Sequence, residues 1–112
     1  MTSHASGTLR RSVDVRHVLR RGWRLSGERA VVHVLAVEGE TRVGFACSRA
    51  VGGAVVRNRA RRLMREAWWT LVRRDSGGHW IMMVARPGIR GSKAADVTAD
   101  LERVLVKGGV IV

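Results

Sequence analysis

Residues 55–74 carry the longest helical pattern in the chain, and its two faces have opposite characters. At about 100° per residue, Val56, Ala60, Leu63, Met64, Ala67 and Leu71 gather on one side. Asn58, Arg61, Arg62 and Arg65 gather on the other. Arg57 marks one edge of the basic face, Arg73 lies beyond Arg62, and Arg59 falls off it. Glu66, at the far margin, is almost the only compensating acid. A solvated helix usually interleaves charges at i and i+4, gaining about 0.2–0.5 kcal/mol per pair. Here like charges are stacked at that spacing, which costs stability unless an anion binds. The fold must therefore cover one side of this helix and leave the other open. Trp68, at the edge of the apolar side, is expected in the core. Trp69 falls on the basic face, where it can stack on a base or bury against a neighbouring loop; burial is the favoured expectation.

The flanking pattern alternates helices and strands. Ser12 is placed to cap a short helix over residues 13–21, with Val15, Val18 and Leu19 on one face and Gly22 as its stop. A short strand is possible over residues 23–25. Residues 30–37 and 42–48 read as strands joined by the turn Glu38-Gly39-Glu40, giving a hairpin. Gly77-Gly78 ends the basic helix, residues 79–86 (HWIMMVAR) form another strand, and Pro87-Gly88 turns the chain. Ser92 is placed to cap a last helix over residues 93–107, which buries Val97, Leu101, Val104 and Leu105. This order implies an α+β domain, an α/β sandwich with helices packed on a small sheet.

Composition sharpens the partner. The 112 residues hold 21 Lys and Arg against 9 Asp and Glu, a formal net charge of +12. So basic a chain repels itself, and the ordinary compensation is a polyanion. Nineteen of the basic residues are Arg, whose planar fork bridges phosphate oxygens and stacks on exposed bases. That favours nucleic acid, and RNA more weakly, since a GC-rich genome also enriches Arg. Cys47 is the sole cysteine, which excludes an internal disulfide and a thiolate metal cluster and fits a cytoplasmic setting. The first residues lack the apolar core of a signal peptide, and the apolar runs are too short to span a bilayer. No membrane role is expected.

Catalytic chemistry of the protein's own is not evident. A nuclease that holds Mg²⁺ needs clustered oxygen ligands, yet the acids, including Asp96 and Asp100 at i and i+4, are scattered and explained by helix solvation. The histidines, His4, His17, His33 and His79, are equally dispersed. Cys47 has no evident base, and Ser48 has no nucleophile-elbow context. The Gly52-Gly53 pair before the basic helix is a weak phosphate loop, with no Lys-Ser/Thr behind it. No catalytic residue and no protein metal site are assigned.

The stretch RVGFACSRAVGGAVVRNRARRLMREAW, residues 42–68, closely resembles the signature of the bacterial ribonuclease P protein family. Its hallmark Arg-Asn-Arg stands here as Arg57-Asn58-Arg59, followed by Arg61, Arg62 and Arg65. LRRSVDVRHVLRRG near the start resembles the family's first helix, and IMMVARPG, residues 81–88, its Arg-Pro-Gly strand end. Similarity spans roughly residues 9–107.

The resemblance implies a fold like the second domain of ribosomal protein S5, with three helices on one side of a sheet of about four strands. The chain start, residues 1–9, is expected to be mobile as termini commonly are, followed by a single RNA-binding domain at residues 10–112. The function implied is that of the non-catalytic subunit of an endoribonuclease that removes the 5′ leader of precursor tRNA. The active site and its Mg²⁺ are expected in the RNA subunit. The partners implied are that catalytic RNA and precursor tRNA, with no protein partner evident. Carried over residue by residue, Arg57, Asn58, Arg59, Arg61, Arg62 and Arg65 would contact RNA, with Ser48 and Arg49 just before them; Arg59, off the basic face, has a structural role as its alternative.

A cleft between sheet and first helix would hold the single-stranded leader, with Val15 and Leu19 where the family often has aromatics and His33 where it often has tyrosine. These replacements weaken base stacking. Ala50 and Gly53 also depart from the family's usual Lys and Asn. Two other readings stand beside this one: a structural RNA-binding protein of a ribosome-like particle, and a protein-only nuclease using His33 and His79.

Overall fold

The strand whose two faces are both apolar takes the middle of the sheet. The computed structural model describes residues 7–112. In chain order the elements are β1 (Gly7–Thr8), α1 (Ser12–Arg21), β2 (Trp23–Ser26), β3 (Ala30–Ala36), β4 (Arg42–Cys47), α2 (Ala54–Leu71), β5 (His79–Ala85) and α3 (Ala94–Lys107). Short 3₁₀ turns at Val72–Arg74 and Pro87–Ile89 follow α2 and β5. The five strands run in the order β1-β4-β5-β3-β2. β5 pairs antiparallel with β3 and parallel with β4.

This order corrects two expectations. The sheet has five strands rather than about four, because β1 adds to one edge. β3 and β4 do not form a hairpin, because β5 lies between them. A strand carrying Ile81 and Met83 on one face and Trp80 and Met82 on the other needs cover on both faces and neighbours on both edges. The turn at Gly78, with φ +69°, delivers β5 beside β3. The Val37 N–H donates to the Gly78 carbonyl at 2.8 Å, and a Cβ on Gly78 would lie 2.6 Å from the Val37 carbonyl oxygen.

Residues 7–9 of the segment expected to be mobile run along the edge of β4. Gly7 and Leu9 donate backbone hydrogen bonds to Thr41 and Val43 at 2.9 and 3.0 Å, and the Leu9 side chain is buried. The open edge of β4 supplies the partners, and the apolar gap beside Val18 and Met82 takes the leucine. Residues 1–6 of that segment, His4 among them, lie outside the described residues.

The helices divide between the two faces instead of sharing one. Period-2 alternation sends Val32, Val34, Val43, Ile81 and Met83 to the face covered by α2 and α3, where the main core forms. Val97, Leu101, Val104 and Leu105 of α3 are buried as their spacing predicts, and so is Trp68 of α2. The opposite face carries His33, Leu35, Trp80 and Met82, and α1 packs there through Val15 and Val18. The smaller apolar stripe of α1 suits this smaller cluster, while the wide stripes of α2 and α3 face each other and the sheet.

Helix starts also differ from expectation. Ser12 is the first residue of α1, and Arg11 stands at its N-cap. At α3 the N-cap is Lys93, whose backbone N–H donates to the Asp96 carboxylate at 2.9 Å. Ser92 is instead a buried junction. Its Oγ accepts from Arg29 Nε at 2.9 Å, and its carbonyl accepts from Arg59 Nη2 at 2.8 Å.

Candidate RNA interface

α2 runs over 18 residues, and its buried side matches the predicted stripe from Ala60 to Leu71, with Val56 half-buried. Its composition of Ala, Leu, Met and Arg favours helix. Its first turn contains no acid to meet the positive end of the helix dipole and already carries Arg57. Such a terminus attracts anions.

The basic side lies beside the end of β4. The Arg57 and Arg61 charges reach Cys47, where burial pushes the thiol up and the two guanidiniums pull it back more weakly. A thiol raised in this way is a poor nucleophile at neutral pH. One turn further along α2, the Arg65 guanidinium sits over the Phe45 ring, 5.6 Å from its centroid. Arg61 donates to the Asn58 side-chain oxygen, so Asn58 orients Arg61. Ser48 and Arg49 are exposed in the turn that follows Cys47. That turn is pinned by buried Val51, whose N–H donates to the Ser48 carbonyl at 3.1 Å.

The structure thus brings Arg57, Asn58, Arg61 and Arg65 along one side of α2, with exposed Arg62 on the same helix and Ser48 and Arg49 in the exposed turn that leads into it. Among the described residues, none of these arginines forms an ion pair with a carboxylate. Arg57 Nε is buried with no hydrogen-bond partner. Arg59 is separated from the group, fastened to Ser92 on the far side of the helix. Trp69 corrects the favoured expectation of burial: it is 59% exposed, on the turn of α2 that follows Arg65.

On the opposite face of the sheet, Val15 is half-buried against the α1 cluster and His33 lies on the same face in β3. Leu19 is 43% exposed and lies outside that cluster. Burial, then the nearby Arg24 charge, lowers the His33 pKa, so its ring is neutral at neutral pH. Trp80, half-buried on this face between Leu35 and Arg42 in the register, was not singled out from the sequence. Strict alternation within HWIMMVA carries the signal for it, once Ile81 and Met83 are assigned to the main core. Phe45 was missed in the same way, since only the packing of α2 on β4 sets it under Arg65.

The other candidate sites stay apart. His79 is buried in β5, its ring 3.4 Å from Asp75, and faces away from His33. Among the described residues no three of His, Cys, Asp and Glu come together to hold a metal ion. No helix among them is long and apolar enough to cross a membrane.

An α+β sandwich bearing an arginine-faced helix defines the class: a small basic nucleic-acid-binding protein. Comparison with known proteins makes it specific. The family described as Ribonuclease P matches residues 4–108. The ribonuclease P protein component of a Nocardioides species is 37% identical over 109 residues, covering 94% of this chain and 93% of that protein. That of Symbiobacterium thermophilum is 36% identical, covering 84% of each. The RNase P protein of Staphylococcus aureus superposes with a TM-score of 0.83 at 22% identity, over 94% of this chain and 97% of that one. The Thermotoga maritima RNase P protein gives 0.80 at 23%, over 89% and 96%. The chain belongs to the ribonuclease P protein family.

Proposed function

We propose that this chain is the protein subunit of ribonuclease P, and that it binds the catalytic RNA and the 5′ leader of precursor tRNA. The observation that carries this reading is the set of arginines on α2, Arg57, Arg61, Arg62 and Arg65, which meet no carboxylate among the described residues. Phosphates complete such a face and satisfy the dipole of the helix start. Arg49 and Ser48 extend the surface toward the strand end. Arg59 acts through the fold. α2 packs against β4 and β5, the parallel pair of the sheet, with Arg62 and Arg65 exposed.

Hydrolysis and its Mg²⁺ are assigned to the RNA subunit, as the family resemblance implies; in keeping with this, no three of His, Cys, Asp and Glu come together among the described residues. The protein's part is to neutralise phosphates where two RNA chains meet. The cleft between α1 and the sheet, with Val15, His33 and Trp80, is the place for the leader, and Leu19 lies at its exposed margin.

The test is cleavage of precursor tRNA at low Mg²⁺ by the catalytic RNA with and without this chain. Correct 5′ trimming in the mixture, with the protein alone inert, is the expected result. Cleavage by RNA-free protein, or tight binding without stimulation, would overturn the reading.

A further inference from the structure

The basic stripe of α2 does not end with arginine. Arg57, Arg61, Arg65 and Trp69 follow one another at steps of four residues, which sets the indole about 18 Å along the axis from Arg57. Trp69 is a large apolar side chain left 59% exposed. Beside it a hollow of about 290 Å³ opens between α2 and the β1–β4 edge of the sheet. Val43 and buried Trp68 form its floor, and Phe45 with Arg65 over its ring forms one wall. Trp69 forms another, and Thr8 and Arg10 lie at the rim. Glu40 lies next to Gly7 at one end, and Glu66 is exposed on α2 one turn before Trp69. Arg10 and Arg65 face the hollow itself.

An exposed indole next to a guanidinium already stacked on a phenyl ring has the chemistry that holds nucleobases in single strands. The aromatic faces take the base, and a flanking arginine takes the phosphate. Duplex bases are stacked inside their helix and out of reach, so the occupant is unpaired. The volume corresponds to about ten waters at ~30 Å³ each, enough for one base. Charge complementarity, with the stripe of arginines leading into the hollow, selects RNA over an apolar protein segment.

We propose that this hollow is a subsite for one unpaired nucleotide of bound RNA, its base stacked on Trp69 and its phosphate met by Arg10 or Arg65. The subsite rests on the RNA-binding reading and extends the interface beyond the Arg-Asn-Arg turn.

The experiment titrates the full chain, and its Trp69→Ala and Trp69→Phe variants, with a short oligoadenylate and with the same strand lacking its bases, over a range of salt. Trp69→Ala should weaken oligoadenylate binding by about 5- to 100-fold, the span for removal of a stacking aromatic. The salt slope should not change, because no phosphate contact is lost. Trp69→Phe should keep most of the affinity, and the baseless strand should not distinguish the three proteins.

If Trp69→Ala binds as the parent does, while Arg61→Ala with Arg62→Ala still flattens the slope, the subsite is overturned and the RNA-binding face stands. If Trp69→Ala instead abolishes a self-associated form seen in sedimentation and leaves RNA affinity intact, the hollow is a protein contact and the proposal fails. If the parent binds neither strand nor structured RNA, the RNA-binding reading falls, and the subsite with it.

Discussion

Arg59 donates a 2.8 Å hydrogen bond to the carbonyl of Ser92, tying the second turn of α2 to the loop that leads into α3. The last residue of the Arg-Asn-Arg motif is thus a fastener within the fold, while Arg57 and Arg61 serve the opposite side of the helix. Ser92 also accepts from Arg29 through its hydroxyl, so one buried residue joins α2, the β2–β3 turn and α3.

Arg59→Ala should therefore lower stability by about 1–2 kcal/mol, the cost of a charge-assisted bond to a buried carbonyl. Denaturant titration measures this. Salt dependence of RNA binding should change little. A flattened salt slope with unaltered stability would assign Arg59 to the RNA face instead.

Arg61→Ala combined with Arg62→Ala should leave the circular dichroism spectrum unchanged, since neither side chain closes an ion pair among the described residues. The slope of log K against log salt should fall by roughly 1.4 to 1.8, about 0.7–0.9 per phosphate contact removed. An unchanged slope would move the interface off α2.

Asp100 on α3 accepts the backbone N–H groups of Arg29 and Glu28 at 2.9 and 3.1 Å and pairs with Arg103 at 3.0 Å. Burial acts to raise its pKa, but these bonds together overcome that and hold it below the ordinary carboxylate range. A carboxyl depressed on folding stabilises fully above its unfolded pKa of about 3.9 and loses that contribution as pH falls through its lower folded value. Asp100→Asn should cost about 2–3 kcal/mol at neutral pH, because an amide cannot accept on both sides. The variant's stability should also depend less steeply on pH below about 4. Parallel stability curves for parent and variant down to pH 2 would contradict this.

Gly44 in β4 has no room for a side chain. A Cβ there would lie 2.5 Å from Met82 Sδ and 2.8 Å from the Leu9 carbonyl oxygen. Methionine can yield, but backbone cannot, so Gly44→Ala should displace β1 and cost about 1–3 kcal/mol. Faster amide exchange at Gly7 and Leu9 would report it; unchanged exchange there would show that the edge adapts.

The sequence made the helices legible because their cores repeat with a helical period: the buried apolar residues of α3 and those of α2 follow from spacing, whereas Asp100, read as solvated, is buried on α3. Strand pairing was not legible. Residues 30–36 and 42–47 look like a hairpin locally, and only the two-sided burial of β5 separates them. Within the site, the wheel gave the basic side and set Arg59 apart from it, but could not give Arg59 a partner 33 residues away in sequence. Trp69 was misjudged because its exposure depends on what packs beside α2, which a helical wheel does not contain. The Arg-Pro-Gly end of β5 also has a physical reason visible only in three dimensions. Arg86 donates to the Gly27 carbonyl at 3.1 Å, and a Cβ on Gly88 would lie 2.7 Å from the Glu28 carbonyl oxygen.

The placement of β5 between β3 and β4 has a consequence for synthesis. The central strand is the last of the five to be made, so a nascent chain that has not yet reached residue 85 holds two half-sheets with nothing to join them. Both inner edges then offer unpaired backbone groups. Closure comes in one late step, when β5 enters the gap and brings the parallel and antiparallel pairings into being together. Long-range closure of this kind is slow relative to local helix formation. The sheet is thus closed in one step by its last strand rather than built strand by strand.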